Sequence, residues 1–341
     1  MSEFAPKNIL VTGGAGFIGC NYVRYMLKSD SAVKIINLDA LTYAGSLNNL
    51  QQLPDRSRHT FVQGDIGDRA LIDTLMRQYN IDTIVHFAAE SHVDNSISNP
   101  EIFIKTNIVG TFTLLEAARQ YWLVDSGASS ADRPHCRFHH ISTDEVYGTL
   151  AAGERPFSET TPYAPNSPYS ASKAGSDHMV RAYFHTYGLP VTTTNCSNNY
   201  GAYQHDEKFI PTVIRSCLQG KPIPIYGDGT NIRDWLYVRD HCSAIDAVVR
   251  RGELGEVYNI GGINEWTNID ICRLICQLMD EHRPEQSPHS QLITFVEDRA
   301  GHDWRYAIDA RKVADRLGWR PTETFESGIR ETVSWYLNSY T

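Results

Sequence analysis

Long apolar runs are missing from this chain. No stretch approaches the roughly 20 consecutive apolar residues of a membrane-spanning helix, and residues 1–6 lack the pattern of a secretory signal. An excess of positive charge is missing too, because 31 Lys and Arg stand against 40 Asp and Glu. At a net charge of −9, neither nucleic acid nor an anionic membrane is expected as a partner. We therefore expect a soluble, cytoplasmic protein.

Paired cysteine motifs are also missing. The seven cysteines are scattered, odd in number and never spaced Cys-x-x-Cys, which favours reduced thiols over a disulfide framework. Cys272 and Cys276 stand four residues apart and could share a metal ion, but no obvious set of His or Cys partners lies near them. We interpret both as small buried hydrophobic residues and predict no metal site.

What the chain does have is an alternation of short apolar runs with segments of helical spacing. The predicted strands are 8–12, 33–38, 61–63, 83–87, 137–142 and 191–194. The predicted helices are 17–27, 70–79, 101–121 and 169–187. Strands that alternate with helices imply crossover connections and a mainly parallel sheet. The predicted fold class is therefore α/β, a Rossmann-type doubly wound parallel sheet.

Beyond residue 195 the pattern becomes irregular and richer in Gly, Pro and aromatic residues. This shift predicts a smaller C-terminal lobe that binds the substrate. We predict a dinucleotide-binding domain over 1–195, with 235–262 returning to it, and the smaller lobe over 196–234 and 263–341.

A glycine cluster separates the first predicted strand from the first helix. Glycines there allow a tight turn and close approach to a pyrophosphate, which the helix N-terminus attracts. The predicted cofactor-binding residues of this turn are Gly13, Gly16, Phe17, Ile18 and Gly19. Asp39 stands 20 residues further on, where a carboxylate accepts hydrogen bonds from the adenosine ribose and repels a 2′-phosphate. NAD is therefore predicted over NADP, with a ligand-free turn as the alternative.

Further cofactor contacts are predicted where later strands end. Asp65 and Ile66 follow the third strand, where an acid can reach the adenine amino group. Ala88 and Ala89 follow the fourth strand and are small enough for the dinucleotide to lie close to the backbone. Asn107 is either structural or a bridge to the cofactor edge.

Tyr169 and Lys173 stand four residues apart at the start of a predicted helix, so their side chains share one face about 6 Å apart along the axis. A free tyrosine, with a pKa near ~10, is a poor base at neutral pH. A lysine ammonium and an oxidised nicotinamide nearby would stabilise its phenolate. A solvated helix face is the alternative, which the dinucleotide fingerprint weakens.

Thr143, Asp144 and Glu145 are expected at the carboxyl end of the fifth strand, where open α/β sheets bind their ligands. We interpret Thr143 as a hydrogen-bond donor to the reacting oxygen and the two carboxyl groups as an acid and base pair. The alternative is a pair of solvated loop residues.

Together these motifs resemble those of the extended short-chain dehydrogenases/reductases, and most of all the dTDP-glucose 4,6-dehydratase family. The similarity runs from Gly13 to Pro321. Its most specific motifs are Glu90-Ser-His-Val-Asp94, Ser142-Thr-Asp-Glu-Val-Tyr-Gly148, Tyr169-Ser-Ala-Ser-Lys173 and Ser197-Asn-Asn-Tyr-Gly201. Sugar-nucleotide epimerases share the glycine turn and the Tyr-x-x-x-Lys motif but lack the Asp-Glu pair.

The resemblance implies an internal redox cycle. Tyr169 would take the proton of the sugar 4-hydroxyl while the C4 hydride passes to NAD, and Thr143 would hydrogen-bond O4. Glu145 would remove the C5 proton, and Asp144 would protonate the departing 6-hydroxyl before the hydride returns to C6. The implied product is a nucleotide-linked 4-keto-6-deoxyglucose, a precursor of rhamnose and other deoxysugars.

The resemblance also implies a dTDP-glucose site and a homodimer. The implied substrate contacts are His92, Asn198, Lys208, Arg233, Asn268, Arg299 and His302. The two arginines among them would anchor the diphosphate, and the dimer would form through helices 101–121 and 169–187. Another sugar-nucleotide dehydratase, a decarboxylase, a 4-epimerase and a non-catalytic cofactor sensor are the alternatives.

Overall fold

A computed structural model of the protein describes residues 3–127, 135–298 and 303–340. The strands in these ranges are β1 (Asn8–Thr12), β2 (Lys34–Asp39), β3 (His59–Gln63), β4 (Thr83–His86), β5 (Arg137–Thr143), β6 (Val191–Cys196), β7 (Asn198–Tyr200), β8 (Ile223–Tyr226), β9 (Ile232–Tyr237), β10 (Val257–Ile260), β11 (Glu265–Thr267) and β12 (Ile293–Val296).

The α-helices in the same ranges pack around these strands. They are α1 (Phe17–Ser29), α2 (Arg69–Gln78), α3 (Val93–Ser98), α4 (Pro100–Phe103), α5 (Thr111–Arg119), α6 (Pro168–Tyr187), α7 (Phe209–Gln219), α8 (Val238–Arg251), α9 (Asn268–His282), α10 (Arg311–Leu317) and α11 (Phe325–Tyr340). None of the helices in the described ranges combines the length and apolar character that crossing a bilayer requires.

The centre of the described structure is a seven-stranded sheet in the order β10-β6-β5-β4-β1-β2-β3. All of its neighbouring strands are parallel. Side chains of β1 alternate between two cores: Ile9 and Val11 pack on one face of the sheet and Leu10 on the other. Helices cover both faces, so the predicted doubly wound α/β fold is confirmed.

The strand order reverses between β1 and β4, which makes this position the switch point where open α/β sheets bind ligands. The carboxyl ends of β1, β2, β4, β5 and β6 therefore meet around one crevice. This edge carries the site.

Beyond β6, several elements build a second core. Strands β11, β9 and β7 form a small sheet, β12 pairs with β8, and the buried aromatic residues Tyr200, Trp235 and Phe325 pack among helices α7, α9 and α11. Strand β10 returns to the large sheet beside β6, whereas β9 stays in the small sheet. The domain boundaries themselves stay a prediction.

The prediction of a regular helix over 101–121 is wrong in one respect. The helical path begins at Pro100 but passes through two π-helical stretches, Ile104–Gly110 and Gln120–Val124. Directly after the first stretch, Thr111 donates its hydroxyl to the Asn107 carbonyl at 2.6 Å. Apolar spacing did not reveal these wider turns, because one extra residue per turn barely changes the pattern over such short stretches.

Candidate active site

One cleft of about 390 Å³ opens at the carboxyl edge of the large sheet. Its lining combines the glycine turn after β1, the loop after β2, the end of β5 and the first turns of α6. The volume lies within the range of small-molecule sites. The crevice at the switch point and the predicted catalytic residues therefore form one site.

The glycine turn is shaped for close backbone approach. Gly13 has a φ of +72°, and a Cβ there would lie 2.7 Å from the Ala88 nitrogen. Gly19 packs more tightly still, since its Cβ would lie 2.2 Å from the Gly13 oxygen. Within the described residues, no side chain caps α1, so its first N–H groups are available to a pyrophosphate.

Asp39 ends β2 beside this turn. One carboxylate oxygen accepts the Ala15 N–H and the other accepts the Leu41 N–H, both at 2.8 Å. Each oxygen keeps a further lone pair for a ribose hydroxyl. The other predicted cofactor residues lining the cleft are Gly16, Phe17, Ile18, Asp65, Ile66, Ala88 and Ala89. The residues present fit NAD.

Helix α6 presents Tyr169 and Lys173 to the cleft. It starts with a capping box between Ser167 and Ser170, with Pro168 in its first turn, which fixes the register of both side chains. The Lys173 ammonium donates to the Ile141 carbonyl at 2.7 Å. This contact ties the helix to the end of β5.

Tyr169 and Thr143 lie next to each other in the cleft. Burial, followed by the negative field of Glu145, raises the pKa of Tyr169 well above its usual value. Burial also lowers the pKa of Lys173, with Asp177 acting in the opposite direction. Tyr169 is therefore protonated in the ligand-free cleft, and added positive charge would favour its phenolate.

Strand β5 ends in a short 3₁₀ turn over Asp144–Tyr147. Thr143 caps this turn, since its Oγ1 accepts the Glu145 N–H at 3.3 Å and donates to Asp144 Oδ1 at 3.4 Å. The other oxygen of Asp144, Oδ2, is buried and has no hydrogen-bond partner among the described residues. This oxygen is therefore available for a hydrogen bond to a molecule bound in the cleft.

The surroundings of Asp144 favour the neutral acid over the carboxylate. Burial contributes most, and the adjacent Glu145 adds a like charge, so the pKa of Asp144 lies well above its usual value. A carboxyl group that keeps its proton at neutral pH can donate it to a leaving hydroxyl. The acid role predicted for Asp144 thus has an electrostatic basis, and it stays a prediction.

The carboxylate of Asp177, on α6, holds the end of β5 in place. It accepts hydrogen bonds from Ser142 at 2.8 Å and Tyr163 at 3.0 Å, and it lies 3.1 Å from His140 Nε2. These contacts join the end of β5 to α6. Sequence reasoning missed Asp177, although its position four residues after Lys173 on the same helix face was an available signal.

Two of the predicted substrate-binding residues lie in the cleft, whereas Asn107 does not. Asn198 and Lys208 line the cleft. Asn107 lies behind it, where it accepts the Glu90 N–H at 2.9 Å and donates to Ser172 at 2.8 Å, as a structural brace.

Three further residues do not line the described cleft. His92 caps α3, Asn268 begins α9, and Arg233 lies over the Tyr306 ring at 4.5 Å while donating to the Asp303 carbonyl. Arg299 and His302 lie outside the described residues. Their roles toward the substrate stay predictions.

Sequence reasoning also missed loop residues that line the cleft. Thr42 and Gly45 come from the loop after β2, whereas Gln204, His205 and Glu207 come from the loop after β7. Both loops lie near the switch-point edge, which was the available signal.

Asp144→Asn is expected to stabilise the folded protein at neutral pH. The unfolded chain has an ordinary Asp pKa near ~4, so it releases the proton before the folded state does. Wild-type stability therefore falls as pH rises from ~4 toward the raised folded-state pKa, by up to about 1.4 kcal/mol per pH unit. Asparagine carries no such proton. The free energy of unfolding of the variant, measured with denaturant, should therefore exceed that of wild type by an amount that grows with pH.

Asp55→Asn is the matched control for this prediction. Hydrogen bonds from Ser57 and Arg58 hold the pKa of the partly exposed Asp55 carboxyl at about 2. That depression stabilises the fold above the unfolded pKa and is lost as pH falls toward the folded value. The Asp55 variant should therefore lose stability at neutral pH. An Asp144→Asn curve parallel to wild type over the whole pH series would refute the raised pKa.

A glycine turn at the switch point, an acid after β2 and a Tyr–Lys pair beside the end of β5 define a dinucleotide-dependent enzyme of the short-chain dehydrogenase/reductase class. The family model described as GDP-mannose 4,6 dehydratase matches residues 10–332, and the chain belongs to this family. The predicted resemblance is confirmed by relatives that are 54–56% identical and carry the name dTDP-glucose 4,6-dehydratase.

Three proteins that are similar to this chain over nearly its full length share one name. A Xanthomonas campestris pv. campestris (strain B100) protein called dTDP-glucose 4,6-dehydratase is 56% identical over 334 residues, covering 97% of this chain and 93% of the relative. The dTDP-glucose 4,6-dehydratase of Bacillus anthracis str. Ames, solved with NAD, is similar in structure, with a TM-score of 0.85 and 48% identity over 97% of this chain and 96% of that one. DesIV, the dTDP-glucose 4,6-dehydratase of Streptomyces venezuelae with NAD and TYD bound, gives a TM-score of 0.87 and 44% identity over 97% of each chain.

Proposed function

We propose that the protein is a hydro-lyase that converts dTDP-glucose into dTDP-4-keto-6-deoxyglucose and water, with NAD as its cofactor. The observation that carries this proposal is the position of Thr143, between a residue assigned to hydride transfer and a residue assigned to elimination. Thr143 lies next to Tyr169 in the cleft, and its hydroxyl donates to Asp144 at 3.4 Å. The relatives named above support the same reaction and the same nucleotide.

The first half of the chemistry belongs to Tyr169, Lys173 and Thr143. We assign Tyr169 as the base that takes the 4-hydroxyl proton, Lys173 as the cation that favours its phenolate, and Thr143 as the donor to O4. The chemistry that NAD supplies when bound is acceptance of hydride from C4 and its return to C6. The glycine turn and Asp39 would hold the dinucleotide.

The second half belongs to the two acids. A ketone at C4 acidifies the C5 proton, which Glu145 removes, while Asp144 gives its proton to the departing 6-hydroxyl. The buried oxygen of Asp144 that has no partner in the described structure suits that donation. A 4-epimerase needs only the first half, so a neutral buried acid beside a second carboxyl group favours the dehydratase reaction.

Incubation with dTDP-glucose in deuterated water tests the proposal. The expected product is dTDP-4-keto-6-deoxyglucose with solvent deuterium at C5, identified by NMR and mass spectrometry. Recovery of dTDP-galactose, or a product without deuterium at C5, would contradict the dehydratase reaction. Parallel incubation with UDP-glucose and GDP-mannose reports the nucleotide preference.

A homodimer through the helical stretch 100–124 and α6 is part of the proposal. The two regions pack against each other, and large apolar side chains remain exposed on this side of the protomer. They include Ile104, Val109 and Phe112, which are each 43–48% exposed. Large exposed apolar side chains that recur along one helical stretch are typical of an interface.

Phe112→Asp is expected to shift the protein toward monomer in sedimentation velocity, because a buried unpaired carboxylate opposes association. Phe295→Asp, at an exposed position on β12, is the control and should leave the dimer intact. A wild-type protein that sediments as a monomer would refute this interface. We also infer a cytoplasmic location, since all seven cysteines are buried free thiols.

A further inference from the structure

The proposed reaction leaves two side chains in the wrong protonation state after each turnover. Tyr169 has gained the proton of the 4-hydroxyl, and Asp144 has lost a proton to the departing water. Glu145 gains a proton from C5, exchanges it with the solvent and gives one back to C5, so it ends unchanged, and the hydride that leaves C4 ends on C6. One proton must therefore pass from Tyr169 to Asp144 before the next cycle. This requirement rests on the proposed function.

The structure places one hydroxyl between these two groups. Thr143 lies next to Tyr169 in the cleft and donates from Oγ1 to Asp144 Oδ1 at 3.4 Å. The distance to Asp144 is long, as catalytic hydrogen bonds often are before ligands bind. A threonine hydroxyl both accepts and donates, so it can receive a proton on one side and release another on the opposite side.

The surroundings disfavour exchange with bulk water. Even without a ligand in the cleft, the exposed fractions are 1% for Asp144, 8% for Thr143 and 9% for Tyr169. A direct contact through Thr143 is therefore a shorter route than one through solvent. The oxygen of Asp144 that faces Thr143 is distinct from Oδ2, the oxygen proposed to serve the leaving group.

We propose that Thr143 is a proton bridge that resets the site after each turnover. The O–H bond of Tyr169 breaks as its proton passes to Thr143 Oγ1. In the same event, the O–H bond of Thr143 breaks and a new one forms on Asp144 Oδ1. Tyr169 becomes phenolate, Asp144 becomes a neutral acid, and Thr143 is unchanged. Rotation about the Asp144 Cβ–Cγ bond then brings the protonated oxygen back toward the substrate.

Rapid-quench kinetics of the holoenzyme with dTDP-glucose test the bridge. In Thr143→Val, the first turnover uses the protons already in place, and later turnovers wait for exchange with solvent. We expect a burst of one product per site, followed by turnover slower by at least about tenfold. Raising the concentration of a small proton carrier such as imidazole should accelerate only this slow phase.

Thr143→Ser separates the bridge from a structural role. Serine keeps the hydroxyl, so its time course should be linear and independent of imidazole, as in wild type, whatever its absolute rate. A linear, imidazole-independent course for Thr143→Val would overturn the bridge, and so would a biphasic course for wild type. Absence of the 4-keto-6-deoxy product from the wild-type first turnover would instead refute the proposed function.

A second measurement tests the bridge if Thr143→Val forms no product in its first turnover. Wild type and Thr143→Ser are mixed with substrate in weak buffer containing a pH indicator. A bridge inside the protein predicts a flat indicator trace throughout the first turnover. Transient release of a proton to the medium, followed by its uptake, would show that the site resets through solvent and would overturn the bridge.

Discussion

Glu145→Gln is expected to stop the reaction after the 4-ketone forms. Glutamine keeps the size of the side chain but cannot accept the C5 proton, while Tyr169 and Lys173 remain in place for the first half. Product formation should fall by roughly 10²–10⁴-fold, the usual contribution of a general base. Nucleotide-linked 4-ketoglucose should accumulate, and borohydride quenching followed by mass spectrometry would trap and count it.

Asp144→Asn is the matched control, because it removes the acid and leaves the base. This variant should also form the ketone and lose no water, but it should exchange the C5 hydrogen with deuterated solvent. Glu145→Gln should not exchange it. Full product formation by Glu145→Gln, or equal C5 exchange in both variants, would contradict the separate roles of the two acids.

Tyr169→Phe is expected to stop the reaction one step earlier, before any ketone forms. The phenyl ring can keep the edge-on contact that Tyr169 makes with Phe103 at 6.3 Å, so the fold should persist. Loss of the hydroxyl removes the base for O4, and turnover should fall by about 10²–10⁴-fold. Single-turnover assays of ketone and product, with unfolding curves alongside, measure both effects.

Tyr183→Phe provides a control on the same helix. Tyr183 is also buried and donates its hydroxyl to Glu116 at 2.6 Å, yet it lies outside the cleft. Its replacement should alter stability and leave turnover intact. Wild-type turnover by Tyr169→Phe would refute the assignment of the base, and equal losses in both variants would point to damage to α6 instead.

The parts of this site that depend on local spacing could be predicted from the sequence. A strand, a glycine turn and a helix place Gly13 and Asp39 at one edge of the sheet, and four residues of helix place Tyr169 beside Lys173. The carboxyl end of β5 places Thr143 there too. These positions follow from the two periods of secondary structure and from the rule that ligands bind at the switch point.

The burial of individual side chains and the long-range contacts could not be predicted from the sequence. Nothing local indicates that Asp144 is almost fully buried while Glu145 beside it is not. The contact between Ser142 and Asp177 spans 35 residues and depends on how α6 docks on β5. The π-helical turns and the bracing role of Asn107 likewise arise only when helices pack against the sheet.

The proposed function requires that one cleft removes hydride from C4 and returns it to C6 of the same sugar, with elimination in between. Conversion of dTDP-glucose carrying deuterium at C4, in ordinary water, tests this transfer. NMR of the product should find the deuterium in the C6 methyl group and none at C4. Deuterium retained at C4, or lost to the solvent, would contradict it.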